Sequence, residues 1–115
     1  MDEKTQSKST PVNCLVSDLA GEWRVTALGI ASPMNLLGDK KRIDGTAGFN
    51  LISDKQWGFF TIDSEEDMII VLNYDDPRNN PLLRCVRDRI VKIGDGWIGT
   101  LFLNGNALFN FRLDR

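Results

Sequence analysis

Asn104-Gly105 separates two stretches of alternating side chains, Trp97–Leu103 and Ala107–Arg115. A type I′ turn needs positive φ at both central residues, which Asn and Gly adopt at little cost, so this pair predicts a two-residue β-hairpin loop. The loop sets a register: Phe102 opposite Ala107, Thr100 opposite Phe109 and Ile98 opposite Phe111. Facing residues share one side of a sheet. Ile98, Thr100, Phe102, Ala107, Phe109, Phe111 and Leu113 are therefore expected in the core. Trp97, Gly99, Leu101, Leu108, Asn110 and Arg112 are expected outside, with Trp97 and Arg112 as an outward cation–π pair.

The same period-two pattern recurs upstream. Gly21–Gly29 places Trp23, Val25 and Ala27 on one face and Glu22, Arg24 and Thr26 on the other. Lys40–Ser53 carries Ile43, Ala47, Phe49 and Leu51, with Gly45 and Gly48 marking a bulge or bend. Gln56–Asp63 and Met68–Tyr74 are rich in β-branched and aromatic residues and apolar on both faces, so a covering element or a homodimer partner is expected outside them. Leu82–Ile93 is a long strand in which neither register is cleanly apolar, and a bulge near Arg87–Arg89 is expected. Turns fall at Ser53-Asp54-Lys55, Ser64–Asp67, Asp75–Pro81 and Gly94-Asp95-Gly96. These stretches make seven strands in meander order with no long amphipathic helix. The fold class is all-β: one antiparallel meander barrel of seven or eight strands, closed so that no edge is bare.

At 115 residues the chain is one domain. Residues 1–13 are too polar to pack and read as a flexible tail, leaving 14–115 as the barrel, with one helical turn near Cys14–Leu19 as an end plug. The tail lacks the apolar segment of a secretory signal and no run is long enough to span a membrane, so a cytoplasmic location is expected. There Cys14 and Cys85 are free thiols; in an exported chain they would be free to pair. Sixteen acidic against fourteen basic residues, a net charge of −2, argue against binding nucleic acid by bulk charge. The chain has no histidine, the usual general base and commonest metal ligand, and the two cysteines have no zinc spacing. No cofactor, metal or enzymatic activity is expected.

Gly21-Glu22-Trp23, preceded by Ser17–Ala20, resembles the opening signature of lipocalins and their calycin relatives. The resemblance implies a barrel in which the Trp begins the first strand and an Arg of the last strand packs over it at the closed end. Parity with Phe109, Phe111 and Leu113 selects Arg115 over Arg112 for that role, making Gly21, Trp23 and Arg115 structural. The apolar loop Ile30–Gly38 is expected to pack on something, either over a barrel mouth or onto the outer wall, and the resemblance places it where lipocalins carry a lid. The stretch SDLAGEW after a polar tail is similar to bacterial metalloprotease-inhibitor barrels. Asn73–Pro77 together with Phe109–Arg115 resembles the C-terminal part of bacterial GXWXG-type proteins.

A barrel of this kind is expected to bind a small apolar or amphipathic ligand in a preformed pocket. Trp57, Phe59 and Phe49 are the candidate lining residues. Arg87 and Arg89 are candidates for an anionic end of the ligand, because a guanidinium forks onto a carboxylate. The competing expectation is a protein-interaction or inhibitor module, its barrel filled by its own side chains and its outer face or tail making the contact. The acidic residues Asp63, Glu65, Glu66 and Asp67 read as a solvated turn.

Overall fold

The computed structural model describes residues 17–29, 39–64 and 69–115, with the side chain of Ser64 excepted. The expected tail (1–13), Cys14, the lid loop (30–38) and most of the acidic turn (65–67) lie outside the described residues.

Eight antiparallel strands close into one barrel in sequence order. They are β1 (Gly21–Ala27), β2 (Lys40–Asp44), β3 (Ala47–Ile52), β4 (Lys55–Ser64), β5 (Ile69–Asn73), β6 (Val86–Ile93), β7 (Gly96–Leu103) and β8 (Asn106–Asp114). The division of Lys40–Ser53 at Gly45, which turns at φ +66°, makes the count eight. Closure pairs β1 with β8, Val25 opposite Leu113 and Ala27 opposite Phe111, so every strand has two neighbours. No described helix is long and apolar enough to cross a membrane.

The up-and-down order sorts the connections to two ends. The Ser17–Ala20 lead, the β2–β3 and β6–β7 turns and Arg115 lie at the end where Trp23 sits. The β3–β4 and β7–β8 turns and the β5–β6 connection, which contains a short 3-10 helix over Leu83–Cys85, lie at the other. That second end is the mouth.

Asn104-Gly105 does form the hairpin turn, with φ +53° and +83°. Phe102 pairs with Ala107, but Leu101 pairs with Phe109, so Leu108 is an extra residue on β8. Beyond this bulge every pairing shifts by one and the faces of β7 exchange. Trp97 and Leu101 are buried, whereas Ile98, Thr100 and Phe102 face outward, the reverse of the expected core. Arg112 accordingly pairs with Asp114, and it is Lys92 whose ammonium lies 5.5 Å from the Trp97 ring. The expected side for Phe111 and Leu113 on β8 stands.

A second bulge lies in β4. Asn50 pairs with Trp57 and Gly48 with Phe60, leaving Gly58 and Phe59 together opposite Phe49. Gly58 has φ +61°, and a Cβ there would lie 2.7 Å from Asn50 Nδ2, so both backbone and space require glycine. The bulge lets Trp57 and Phe60, three residues apart, both turn inward while Phe59 turns out. By contrast β6 is regular from Val86 to Ile93 against β7 and from Arg87 to Val91 against β5, with no bulge at Arg87–Arg89. Its mixed pattern arises because its inward row, Val86-Asp88-Ile90, contains a buried carboxylate. The residues before it form the 3-10 turn rather than strand.

Gly99 shows how tightly the wall is filled. A Cβ there would meet Phe111 Cε1 at 2.7 Å and Ile90 Cγ2 at 2.8 Å. Gly99→Ala is expected to cost about 1–3 kcal/mol, because ring and aliphatic chain must both shift in a close-packed core. Chemical denaturation measures it through a lower midpoint at unchanged slope.

Candidate functional site

At the closed end, Trp23 is buried and its indole Nε1 donates to Leu19 O at 2.8 Å. The Arg115 guanidinium lies 4.0 Å from the Trp23 ring centroid and donates through Nη2 to Asp18 O (3.0 Å) and Ala20 O (3.2 Å). Gly21, at φ +111°, leaves room for that guanidinium: a Cβ would stand 2.9 Å from Arg115 Nη1. Last residue, first strand and lead-in are thus joined at one point.

The middle of the barrel is filled by side chains. Lys41, on the inward row of β2 with Ile43, is fully buried, and so are Asn50, Tyr74 and Asp88. Lys41 Nζ donates to Asn50 Oδ1 and Tyr74 OH, each at 2.7 Å, and stands 3.3 Å from Asp88 Oδ2. Its three N–H bonds therefore have three acceptors. Tyr74 OH donates to Asp88 Oδ2 at 2.8 Å and accepts from Asn50 Nδ2 at 3.2 Å, while Asn50 Nδ2 also donates to Gly58 O at 3.0 Å. Phe60, Tyr74 and Phe111 set ring centroids 5.4, 5.4 and 5.6 Å from the ammonium.

Burial pushes the Lys41 ammonium below its ordinary range and the Asp88 carboxyl above its own, and in each case the other's charge opposes the shift. Tyr74 is held well above the ordinary phenol range, first by burial and then by the charge of Asp88. It stays protonated and can donate. Asp88 Oδ1 has no hydrogen-bond partner among the described residues.

Above this cluster the mouth is apolar. Trp57, Leu82, Leu83, Val86, Leu103 and Leu108, with Asn80, line an open cleft of about 270 Å³. Leu82 is 65% exposed and Leu108 55% exposed. The cleft is assembled from five elements. Trp57 comes from β4 through the Gly58 bulge, and Leu82 and Leu83 from the β5–β6 connection. Val86 and Leu103 come from the paired top residues of β6 and β7, and Leu108 from the β8 bulge. Asn79 holds the connection down: its side chain accepts from Phe59 N (2.9 Å) and donates to Phe59 O and Tyr74 O (both 2.7 Å), supplying pairing to β4 above the end of β5.

Of the residues singled out in the sequence, Trp57 lines the mouth. Phe49 and Phe59 pack on each other outside the barrel, centroids 6.2 Å apart, with the Arg78 guanidinium 4.0 Å over the Phe59 ring. This connection supplies cover for the outer apolar side of β4. Arg87 and Arg89 also face outward, in a groove with Val71, Phe102 and Gly105. Arg87 Nη1 donates to Arg84 O (2.9 Å) and Val86 O (2.8 Å), tying β6 to the 3-10 turn. The structure therefore separates Trp57 from the other four. Cys85 is free and half-buried, its Sγ 3.7 Å from Pro81 O.

Lys41, Asn50, Tyr74 and Asp88 were not distinguishable as site residues by type alone. The available signal was positional: a lysine and an aspartate each interrupt an otherwise apolar inward row. A larger depression, about 690 Å³, lies at the closed end, but its lining is charged and partly committed, Lys92 to Asp18 and Arg115 to the Trp23 ring. Among the described residues, the mouth combines exposed aliphatic side chains with an aromatic wall. The barrel architecture is compatible with the lipocalin-like resemblance. No family model, no curated protein and no solved structure matches the chain.

Proposed function

We propose that this protein binds a small apolar or amphipathic molecule at the mouth of the barrel and has no catalytic role. The reading is carried by the cleft of Trp57, Leu82, Leu83, Val86, Leu103 and Leu108, which leaves two leucines more than half exposed around an aromatic wall. Exposed leucines so grouped gain by covering apolar area, about 25 cal/mol per Å² removed from water. Because the cluster of Lys41, Asn50, Tyr74 and Asp88 fills the lumen beneath, the ligand would seat across the mouth rather than pass down the axis.

Titration with the uncharged dye Nile red tests this, together with native mass spectrometry of the protein taken from its expression host. Saturable binding is expected, and Leu82→Asp with Leu108→Asp should weaken it about tenfold or more by removing apolar contact. Both positions are exposed, so the thermal midpoint should hardly move. An absence of dye binding and of any retained small molecule would defeat the reading. The packed lumen favours a second reading, a protein-interaction module with a self-filled barrel. A dimer mass combined with no dye binding would support that alternative.

A further inference from the structure

Resting on that mouth site, we propose that its ligand is uncharged and carries a hydroxyl group, a long-chain alcohol in chemical class, rather than a fatty acid or other anion. Three buried polar atoms lack a partner among the described residues: Trp57 Nε1, Asp88 Oδ1 and Trp97 Nε1. Trp97 belongs to the closed-end half of β7, whereas Trp57 and Asp88 lie in the half toward the mouth. Trp57 lines the cleft. Asp88 lies on the inward row of β6, two residues below the cleft-lining Val86, and its strand partner Leu101 lies two below Leu103. Two residues along a strand span about 7 Å, roughly the reach of one ligand headgroup with its first methylene. Trp57 is also the strand partner of Asn50, which is bonded to Tyr74 OH and so to Asp88. Between cleft and cluster there are thus one unused donor, the buried indole N–H of the cleft-lining Trp57, and one unused acceptor, the buried Asp88 oxygen two residues below Val86.

A hydroxyl both donates and accepts, and can serve either atom. A carboxylate only accepts, and would bring a negative charge toward Asp88. No cation waits for it: the described cleft residues are Trp57, Asn80 and five aliphatic side chains. All three N–H bonds of Lys41 are taken by Asn50, Tyr74 and Asp88. Arg87 is outside the wall and bonded to Arg84 O and Val86 O. An ammonium group could offer protons to Asp88 Oδ1, yet it would have to shed its water in an apolar cleft beside a lysine of like charge.

The test is competition against Nile red by 1-decanol, decanoate and decylammonium at pH 7, three probes of one chain length. Decanol is expected to bind about tenfold or more tightly than either ion. In Trp57→Phe, which keeps an aromatic ring in the wall but loses the indole N–H together with part of the ring's area, decanol should weaken about three- to tenfold more than Nile red, which reports the lost area alone. Decanoate or decylammonium matching decanol would overturn the proposal while leaving the mouth site standing. So would a decanol affinity that Trp57→Phe weakens no more than it weakens that of Nile red. If Nile red and all three probes fail to bind, the mouth site itself falls and this inference with it.

Discussion

Lys41→Met is expected to destabilise the barrel by about 3–5 kcal/mol, because it strands the Asp88 carboxylate in the core without its counter-charge. Asp88→Asn should cost a similar amount by stranding the ammonium. The two variants should respond to pH in opposite directions. In Lys41→Met the Asp88 pKa, already raised by burial, loses the charge that held it down. A raised carboxyl favours the folded state at low pH and loses that advantage as pH rises through the folded pKa. The deficit of Lys41→Met against the parent protein should therefore shrink as pH falls through the carboxylate range. In Asp88→Asn the Lys41 pKa, already lowered, falls further. That deficit should shrink as pH climbs toward the ordinary lysine range, where the unfolded lysine also gives up its proton. Combining the two should cost less than the sum of the single changes, since neither partner is left bare. Urea unfolding at about pH 4, 7 and 9 measures all three proteins. Parallel pH profiles for the two single variants would mean that Lys41 and Asp88 do not act as an ion pair.

The second large effect is expected at the closed end. Trp23→Ala should cost about 3–5 kcal/mol, the range for truncating a buried aromatic side chain. Part of that loss is indirect, because the Trp23 ring is the platform for the Arg115 guanidinium. Arg115→Ala alone, at the exposed rim, should cost about 0.5–1 kcal/mol through the lost cation–π contact. Its cost should shrink in the Trp23→Ala background, where only the hydrogen bonds to Asp18 O and Ala20 O are left to lose. A double-mutant cycle by thermal denaturation checks this, and full additivity would show that Arg115 draws nothing from the ring.

How far the sequence discloses this molecule can be seen at particular residues. Alternation over Trp23, Val25 and Ala27 places the inward face of β1, and Asn104-Gly105 places the last hairpin, because both rest on local backbone chemistry. The faces of β7 and of the first half of β4 are different. Each is inverted by a bulge one residue long, at Leu108, where nothing separates a bulge from an ordinary strand residue, and at Gly58, where the glycine alone marks it. That is why Ile98 and Phe102 read as core, and Phe59 reads as ligand-facing, although all three point outward. The buried cluster is obscured for another reason. Lys41 lies in Lys40-Lys41-Arg42, which composition alone assigns to solvent. Its partners Asn50, Tyr74 and Asp88 come from three other parts of the chain, and only closure of the barrel gathers them. The mouth is legible in Trp57 alone, since Leu82 and Leu83 lie in a connection, Leu108 at a bulge and Leu103 at the last residue of β7.

Closure of β1 onto β8 also has a kinetic meaning. Arg24–Ala27 meet Phe111–Asp114, segments most of the chain apart, and this seam completes the ring. Hairpins such as β7–β8 can form from neighbouring residues within microseconds, whereas the seam must wait until the largest loop has closed. On a ribosome, β1 emerges early and keeps an unpaired edge until residues 111–114 have been synthesised. Over that interval its neighbour on one side is missing, and strand addition by another nascent chain is the competing reaction.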